Sequence, residues 1–498
     1  MSRISVAELE KYLWDSAVIL RGSMAAGSYK HYLFPLLFYK RICDVYDEEY
    51  AHALKESNGD VDYAMFAENH RFQVPKDAHW KIIRETTSNI GSAIKKALSD
   101  LEKANGKLLE GVFGNASWTN KDRLPDHLLK ELIEHLSSLV LSLENCPEDE
   151  LGNGYEYLIG KFADDSGHTA QEFYTNRTIV HLMTELLRPQ PGESIYDPTC
   201  GSAGMLISSI AYLKSQNKEW RSVKLYGQEI TPLTSAIGRM NLFLHGVENF
   251  KIVQGDTLKA PYFIANDKLM QFDLVLANPP YSIKQWNRDA FSSDVYGRNF
   301  LGTPPQGRAD YAFFQHILKS LDPENGRCAI LFPHGVLFRK EEMEMRKKLV
   351  ETDLVECVIG LGSNLFFNSA MEACIVICKS NKDSIRRNKV LFIDAKKEVS
   401  RNGTYRYLDK EHILKIASVY HEFRSENIFS LIVDTSDILQ NSSDLSIIKY
   451  IKPKSQNKKE YSEQDYSILL HRWLYQKDLI KKDIDLLIHS IDGDDLNV

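Results

Sequence analysis

Apolar residues in the first third of the chain return every three or four positions, as in "LEKYLWDSAVILRG" and "YKHYLFPLLFYKRICDVYDEEY". This is the period of a helix with one buried face, and it predicts an all-helical domain over residues 1–145. The stretch "LENCPEDELGNGYEYLIGKFADDSGHTAQEFYTN" breaks the pattern with Gly, Asp and Asn, which marks a domain junction. From Glu193 onward, short β-branched runs alternate with helical patterns: "ESIYD", "VKLYGQE", "FKIVQGD", "FDLVLAN", "GRCAILFP", "VECVIGLG" and "EACIVICKS", with "KVLFIDA" following. The alternation calls for βαβ units, so residues 146–400 are expected to form an α/β domain around a doubly wound, mostly parallel sheet. Residues 401–498 turn helical and polar again and are expected to be a helical C-terminal segment; "LLHRWLYQKDLIKKDIDLLIHSI" reads as a helix or short coiled-coil arm.

Composition narrows this picture. A chain of 498 residues is too long for one ordinary core. No run approaches the roughly 18 apolar residues needed to cross a bilayer, and "MSRISVAELEKYLWDS" is no secretory leader, so a cytoplasmic protein without a membrane partner is expected. The seven cysteines are scattered without a C-x-x-C pair, which suits reduced thiols and no metal; Cys374 and Cys378 in "ACIVICK" read as core residues. A net charge of -7 disfavours a protein that grips nucleic acid alone, so any such activity needs a partner to supply much of the grip.

In a doubly wound sheet, ligands sit beyond the carboxyl ends of the strands near the point where the strand order reverses. The loop after the first strand is "YDPTCGSAGML". Asp197 ends the strand as a fixed carboxylate, Gly201 and Gly204 let the backbone turn tightly, and Ser202 with the following amides opens a helix. Glycines here can equally serve the turn alone. Neither G-x-G-x-x-G nor G-x-x-x-x-G-K-[ST] occurs, and Cys200 and Ala203 crowd the loop, which disfavours NAD and nucleoside triphosphates. Glu229, ending "YGQEI", stands where an acid accepts both ribose hydroxyls, and ribose without pyrophosphate points to S-adenosylmethionine. Asp256 in "VQGDTL" is placed to accept from an adenine amine or, more simply, to cap its own turn.

The fourth strand, "FDLVLANPPYSIK", ends on Asn278, Pro279, Pro280 and Tyr281. An adenine N6 lone pair is delocalised into the ring, and two acceptors aimed at its hydrogens draw the nitrogen toward tetrahedral character. The Asn278 oxygen and the Pro279 carbonyl can be that pair, stiffened by prolines that bring no competing N–H, while Tyr281 offers a flat face for an extruded base. Beyond it, Lys284, Arg288, Arg298 and Arg308 interleave with Trp286, Phe291 and Tyr296, as in phosphate and strand contacts, or in an ordinary mobile loop. Asp310 reads as a helix cap, and His245, His316 and His334 as structural.

Together with these loops, "QEFYTN", "GRADYAFFQHIL", "FPHGVLFR", "LFF", "ILRGSM" and "YKHYLFPLLFYKRICD" make nearly the whole chain resemble the modification subunit of type I restriction-modification systems, an N6-adenine DNA methyltransferase. The resemblance implies the class I S-adenosylmethionine-dependent methyltransferase fold and methylation of adenine in duplex DNA. It also implies a specificity subunit flanked by two copies of this chain, a restriction subunit that can join, and docking of these partners by the helical ends, residues 401–498 among them. It assigns Gln171, Glu172, Phe173, Tyr174, Thr175 and Asn176 to a segment folded over the methionine end of the cofactor. The family usually has Pro at Asn176 and commonly Gly at Ala203, so a looser turn and a narrower loop are expected. A self-sufficient DNA methyltransferase, an RNA or protein-glutamine methyltransferase and a scaffold subunit with a dormant site are the alternatives.

Overall fold

The computed structural model describes residues 3–165, 175–365, 372–403 and 405–451, with further helical positions between 467 and 484. It divides into two compact units, Met1–Ile451 and Lys452–Val498.

Five longer helices lead the first unit: α1 (Val6–Ile19), α2 (Lys30–Glu56), α3 (Ile90–Ala104), α4 (Asp126–Leu136) and α5 (Glu148–Asp165). Ser5 caps α1 by accepting from the Glu8 amide. In α3 the buried residues Ile90, Ile94, Ala97, Leu98 and Leu101 form one stripe, as the apolar spacing requires. Then come α6 (Arg177–Leu187), α7 (Gly204–Ser215) and α8 (Pro232–Leu244). The helical core continues into α8: Ala236, Ile237, Met240 and Phe243 belong to it, and Phe38 of α2 stacks on Phe243 with ring centroids 5.8 Å apart. The N-terminal helices are therefore seated on a helix that flanks the sheet.

The sheet has nine strands: β1 (Ser194–Asp197), β2 (Lys224–Glu229), β3 (Phe250–Gln254), β4 (Leu274–Ala277), β5 (Arg327–Pro333), β6 (Val355–Leu361), β7 (Ala373–Lys379), β8 (Lys389–Ala395) and β9 (Ser430–Asp434). Their spatial order is β9-β8-β6-β7-β5-β4-β1-β2-β3. The first five strands are mutually parallel, as are β6 and β8, while β7 runs antiparallel between β5 and β6. All eight runs expected as strands are strands. β4 and β6 are buried along their whole length, which is why they read as continuous apolar runs instead of alternating ones. All seven cysteines are buried and free.

From β1 the chain winds one way to β2 and β3, then returns to place β4 on β1's other side. The carboxyl ends of β1 and β4 therefore form the switch point, and Asp197 and Asn278 lie there.

One expectation changes. Residues 401–451 are not purely helical: a helix (Lys410–Glu422) is followed by β9, which pairs antiparallel with β8 at the sheet edge. Five residues are too few to display a period against the helical pattern around them; the exposed edge of β8 selects the strand. In the second unit, positions 470, 473, 474, 480 and 484 are helical and carry exposed Leu470, Trp473, Leu474, Ile480 and Ile484. No helix among the described residues is long and apolar enough to cross a membrane.

Candidate active site at the strand ends

The loops after β1 and β2 are tied together by a carboxylate. Glu229 Oε2 accepts from the Gly201 amide at 3.1 Å and its Oε1 from the Thr231 amide at 2.8 Å. Asp197 is 2% exposed, and its Oδ1 accepts from the Thr199 amide at 3.0 Å. Burial, reinforced by nearby Glu229, pushes the Asp197 carboxyl up to about 7. The turn itself is tight: Gly201 has φ +52° and Ala203 φ +64°, both left-handed, and the Ala203 amide closes back on the Cys200 carbonyl at 2.7 Å. Ala203 pays the left-handed strain that a glycine avoids. Its methyl lies only 3.5 Å from where a side chain on Gly238 would begin, so it faces α8 rather than simply narrowing the loop. Ser202 is buried, and its carbonyl accepts from Asn241 of α8 at 2.9 Å. Gly204 opens α7 beneath the Arg177 guanidinium, which pairs with Glu156; a side chain on Gly204 would overlap that guanidinium.

After β3, Asp256 Oδ1 accepts from the Leu258 and Lys259 amides at 2.9 and 3.1 Å, so it does cap its own turn. Thr257 Oγ1 donates to the Pro198 carbonyl at 2.5 Å, joining this turn to the Asp197 loop. Ile230, next to Glu229, is 59% exposed at the strand end. A large apolar residue directly after the acidic strand terminus is the sequence signal for this exposed position.

At the end of β4, the Asn278 amide is held from both sides. Its Nδ2 donates to Thr175 Oγ1 at 2.9 Å, and its Oδ1 accepts from the Tyr281 hydroxyl at 2.9 Å. Pro279 is buried and Pro280 partly so. Burial holds the Tyr281 phenol well above its usual range, so it stays a donor. Ser282, at φ +51°, donates its amide to Asp310 Oδ1 at 3.0 Å. Asp310 Oδ2 pairs with Arg339 Nη1 at 2.6 Å, and Glu342 Oε1 lies 3.5 Å from the same nitrogen. Burial raises the Glu342 carboxyl to about 7 despite Arg339, with Asp310 adding to the rise. Asp310 is thus the first residue of α9 (Asp310–Lys319), not its cap, which is Ala309; its carboxylate anchors the turn after Tyr281.

Thr175 and Asn176 belong to the segment expected to clamp the cofactor; Gln171, Glu172, Phe173 and Tyr174 lie outside the described residues. Asn176 does not loosen its turn. It is 1% exposed, its Oδ1 accepts from the Thr178 amide and hydroxyl at 3.0 and 2.8 Å, and its Nδ2 donates to the Leu365 and Arg406 carbonyls at 2.9 and 3.1 Å. An amide caps the helix and cross-links two distant segments, which Pro cannot do.

The loop from Ser282 to Arg308 keeps Lys284 exposed, but Phe291 is 2% exposed and Arg298 is 3% exposed in an ion pair with Asp294 at 2.6 Å. Arg298 is therefore no phosphate contact. Arg288 donates to the Pro304 carbonyl at 2.8 Å, and Trp286 to that of Gln306 at 2.8 Å. His245 and His316 are buried and His334 is largely so, each with its pKa lowered chiefly by burial, as structural histidines are.

Residues 147–459 match the family described as N-6 DNA Methylase, and residues 9–136 match the HsdM N-terminal domain. The chain is 28% identical over 501 residues to the type I restriction enzyme MjaIX methylase subunit of Methanocaldococcus jannaschii, across 92% of this chain and 88% of that protein. It is 30% identical over 378 residues to the type I restriction enzyme HindI methylase subunit of Haemophilus influenzae, across 71% of this chain and 83% of that one. The crystal structure of the type I restriction-modification system methyltransferase subunit from Streptococcus thermophilus superposes with a TM-score of 0.79 and 29% identity, covering 90% of this chain and all (100%) of that one.

Proposed function

The chain belongs to the N-6 DNA methylase family as a type I restriction-modification methyltransferase subunit, and from that premise we propose how its own residues bind S-adenosylmethionine and present N6 of adenine for methylation. The observation that carries the proposal is the Asn278 amide, fixed by Thr175 on its nitrogen and met by Tyr281 on its oxygen.

The strand ends fit this cofactor by their donor set. Two acids, Asp197 and Glu229, stand where a pyrophosphate would be repelled and where ribose hydroxyls and a cationic ligand are favoured. Asp197, raised by burial, is a carboxylate whose desolvation a cation offsets. Gly201, Ser202 and Ala203 form the backbone cradle, Glu229 accepts the ribose, and Asp256 and exposed Ile230 receive the adenine. The resemblance assigns the methionine end to the segment of Gln171 to Asn176, of which Thr175 is the residue bonded to Asn278. When bound, the cofactor supplies an electrophilic methyl group on its sulfonium.

Asn278 Oδ1 and the Pro279 carbonyl accept the two N6 hydrogens, which exposes the nitrogen lone pair toward the cofactor. Pro280 stiffens the turn. The Tyr281 hydroxyl occupies the Asn278 oxygen until the amine replaces it, and its ring then stacks on the extruded base. No strong base is required, because N6 becomes acidic as it is alkylated.

Sequence choice is borrowed. The net charge of -7 leaves much of the grip on duplex DNA to a specificity subunit, flanked by two copies of this chain, with a restriction subunit able to join. The exposed apolar residues at helical positions, Leu470, Trp473, Ile480 and Ile484, are the docking surface this assembly uses. The cytoplasm is the compartment such a reaction requires.

Labelled methyl transfer to duplex DNA, with and without the specificity subunit, tests the assignment. Label in adenine only with the partner present supports it. Label in DNA without the partner makes the chain self-sufficient; label confined to RNA or protein, or none from an intact complex, contradicts it.

A further inference from the structure

Arg298 carries a permanent charge into a 3% exposed position, and each of its five N–H groups has an acceptor. Nε and Nη2 donate to Asp294 Oδ1 at 2.9 and 2.6 Å. Nη2 also donates to the Leu258 carbonyl at 2.9 Å, and Nη1 to the Thr257 carbonyl at 3.0 Å and His316 Nδ1 at 3.5 Å. Phe291 and Tyr296 lie against the guanidinium, with ring centroids 5.4 and 5.6 Å away. A guanidinium cannot accept, so His316 Nδ1 is the acceptor and its Nε2–H donates to the Tyr196 hydroxyl at 3.1 Å. Burial and Arg298 both lower the His316 pKa well below its ordinary value, in keeping with a neutral ring.

These partners come from three places. Asp294, Phe291 and Tyr296 belong to the loop that follows Tyr281. Thr257 and Leu258 follow Asp256, and Thr257 in turn donates to the carbonyl of Pro198, the residue after Asp197. His316 lies in α9 and reaches on to Tyr196, the residue before Asp197. A loop needing only a buried anchor could use an apolar side chain and desolvate no charge. Only an arginine fork can join a carboxylate, two carbonyls and an imidazole at once.

We propose that Arg298 is a positioning residue that couples the loop of residues 282–308 to the cofactor site, so that filling the site orders the loop on the DNA side of Tyr281. The inference rests on the cofactor reading above. Ligand that settles the Asp197 and Asp256 turns also settles Thr257 and Leu258, the acceptors that hold Arg298, and through Asp294 the loop.

The test uses the full chain, S-adenosylhomocysteine as the probe, and trypsin cleavage after exposed Lys284 and after Arg308, followed by mass spectrometry. In the wild type, saturating probe is expected to slow cleavage at these sites at least tenfold. In Arg298→Met, the probe still binds, weakened several-fold, but slows cleavage less than twofold. Protection retained in Arg298→Met overturns the coupling. If that variant does not fold, Asp294→Asn carries the test: the carbonyl contacts remain, so probe affinity is expected to hold while protection falls, and undiminished protection overturns the proposal. A wild-type chain that binds the probe without protecting the loop also overturns the coupling, whereas one that binds no probe overturns the cofactor reading itself.

Discussion

The Tyr281 hydroxyl donates to the Asn278 side-chain oxygen at 2.9 Å, so the two chemical groups of the strand terminus are bonded to each other. The acceptor proposed for the adenine amine is filled by an internal O–H, and entry of the base exchanges one hydrogen bond for another at little net cost. Tyr281→Phe removes that placeholder and keeps the stacking face, and is expected to retain methyl transfer to within about tenfold. Tyr281→Ala also removes the stacking, worth roughly 1–3 kcal/mol per base, and is expected to lose about 10- to 100-fold more. Single-turnover transfer to duplex DNA by the assembled complex distinguishes them; equal loss in both variants makes the hydroxyl, not the ring, the active part.

Arg339 neutralises Asp310, which is 1% exposed and holds the Ser282 amide. Arg339→Met leaves buried Asp310 without its ion-pair partner, a change typically worth about 3–5 kcal/mol. The variant is expected to lower the chemical rate through a displaced Tyr281, with cofactor affinity preserved, and Arg339→Lys to recover part of the rate. Calorimetric binding alongside single-turnover kinetics checks this; a fall in affinity equal to the fall in rate argues against a local effect.

Asn176→Ala removes a helix cap, typically about 1 kcal/mol, and strips a buried donor from the Leu365 and Arg406 carbonyls. Thermal and urea denaturation are expected to show a total loss of roughly 2–4 kcal/mol. Asn176→Pro supplies no side-chain donor and is expected to be no more stable than the Ala variant.

The raised Asp197 carboxyl gives a pH signature. Its folded pKa, about 7, lies above the unfolded value near 3.8, so the folded state holds the proton more tightly. The stabilising contribution is complete below about pH 4 and is lost as pH rises through about 7, a difference of at most roughly 4 kcal/mol. Asp197→Asn is therefore expected to gain stability relative to wild type at pH 8 but not at pH 5, while losing cofactor binding. Glu342, also raised to about 7, is common to both proteins and cancels in the comparison. A difference that is the same at both pH values contradicts the shift.

The eight predicted strands and the order of Asp197, Glu229, Asp256 and Asn278 along their ends were legible in the sequence, because a buried parallel sheet writes itself as apolar runs and a polar residue marks where each run stops. β9 was not, since edge pairing with β8 is a tertiary choice. Arg298 sits among aromatics in a loop, as a DNA contact does, and its burial depends on carbonyls 40 and 41 residues earlier in the chain. Asp310 opens a helix pattern and so resembles a cap, while its true partners, Ser282 and Arg339, lie 28 and 29 residues away. The two acceptors of the Asn176 amide nitrogen lie 189 and 230 residues downstream. Local spacing carries none of these contacts.

The central claim, that the Asn278 oxygen orients the amine, is tested most directly by Asn278→Ala in the assembled complex, measuring single-turnover methyl transfer and S-adenosylmethionine affinity on the same preparation. The account predicts a loss in rate of at least roughly 100-fold, in line with removal of a positioned transition-state contact, with cofactor affinity within about threefold of wild type. Transfer retained near the wild-type rate would contradict it.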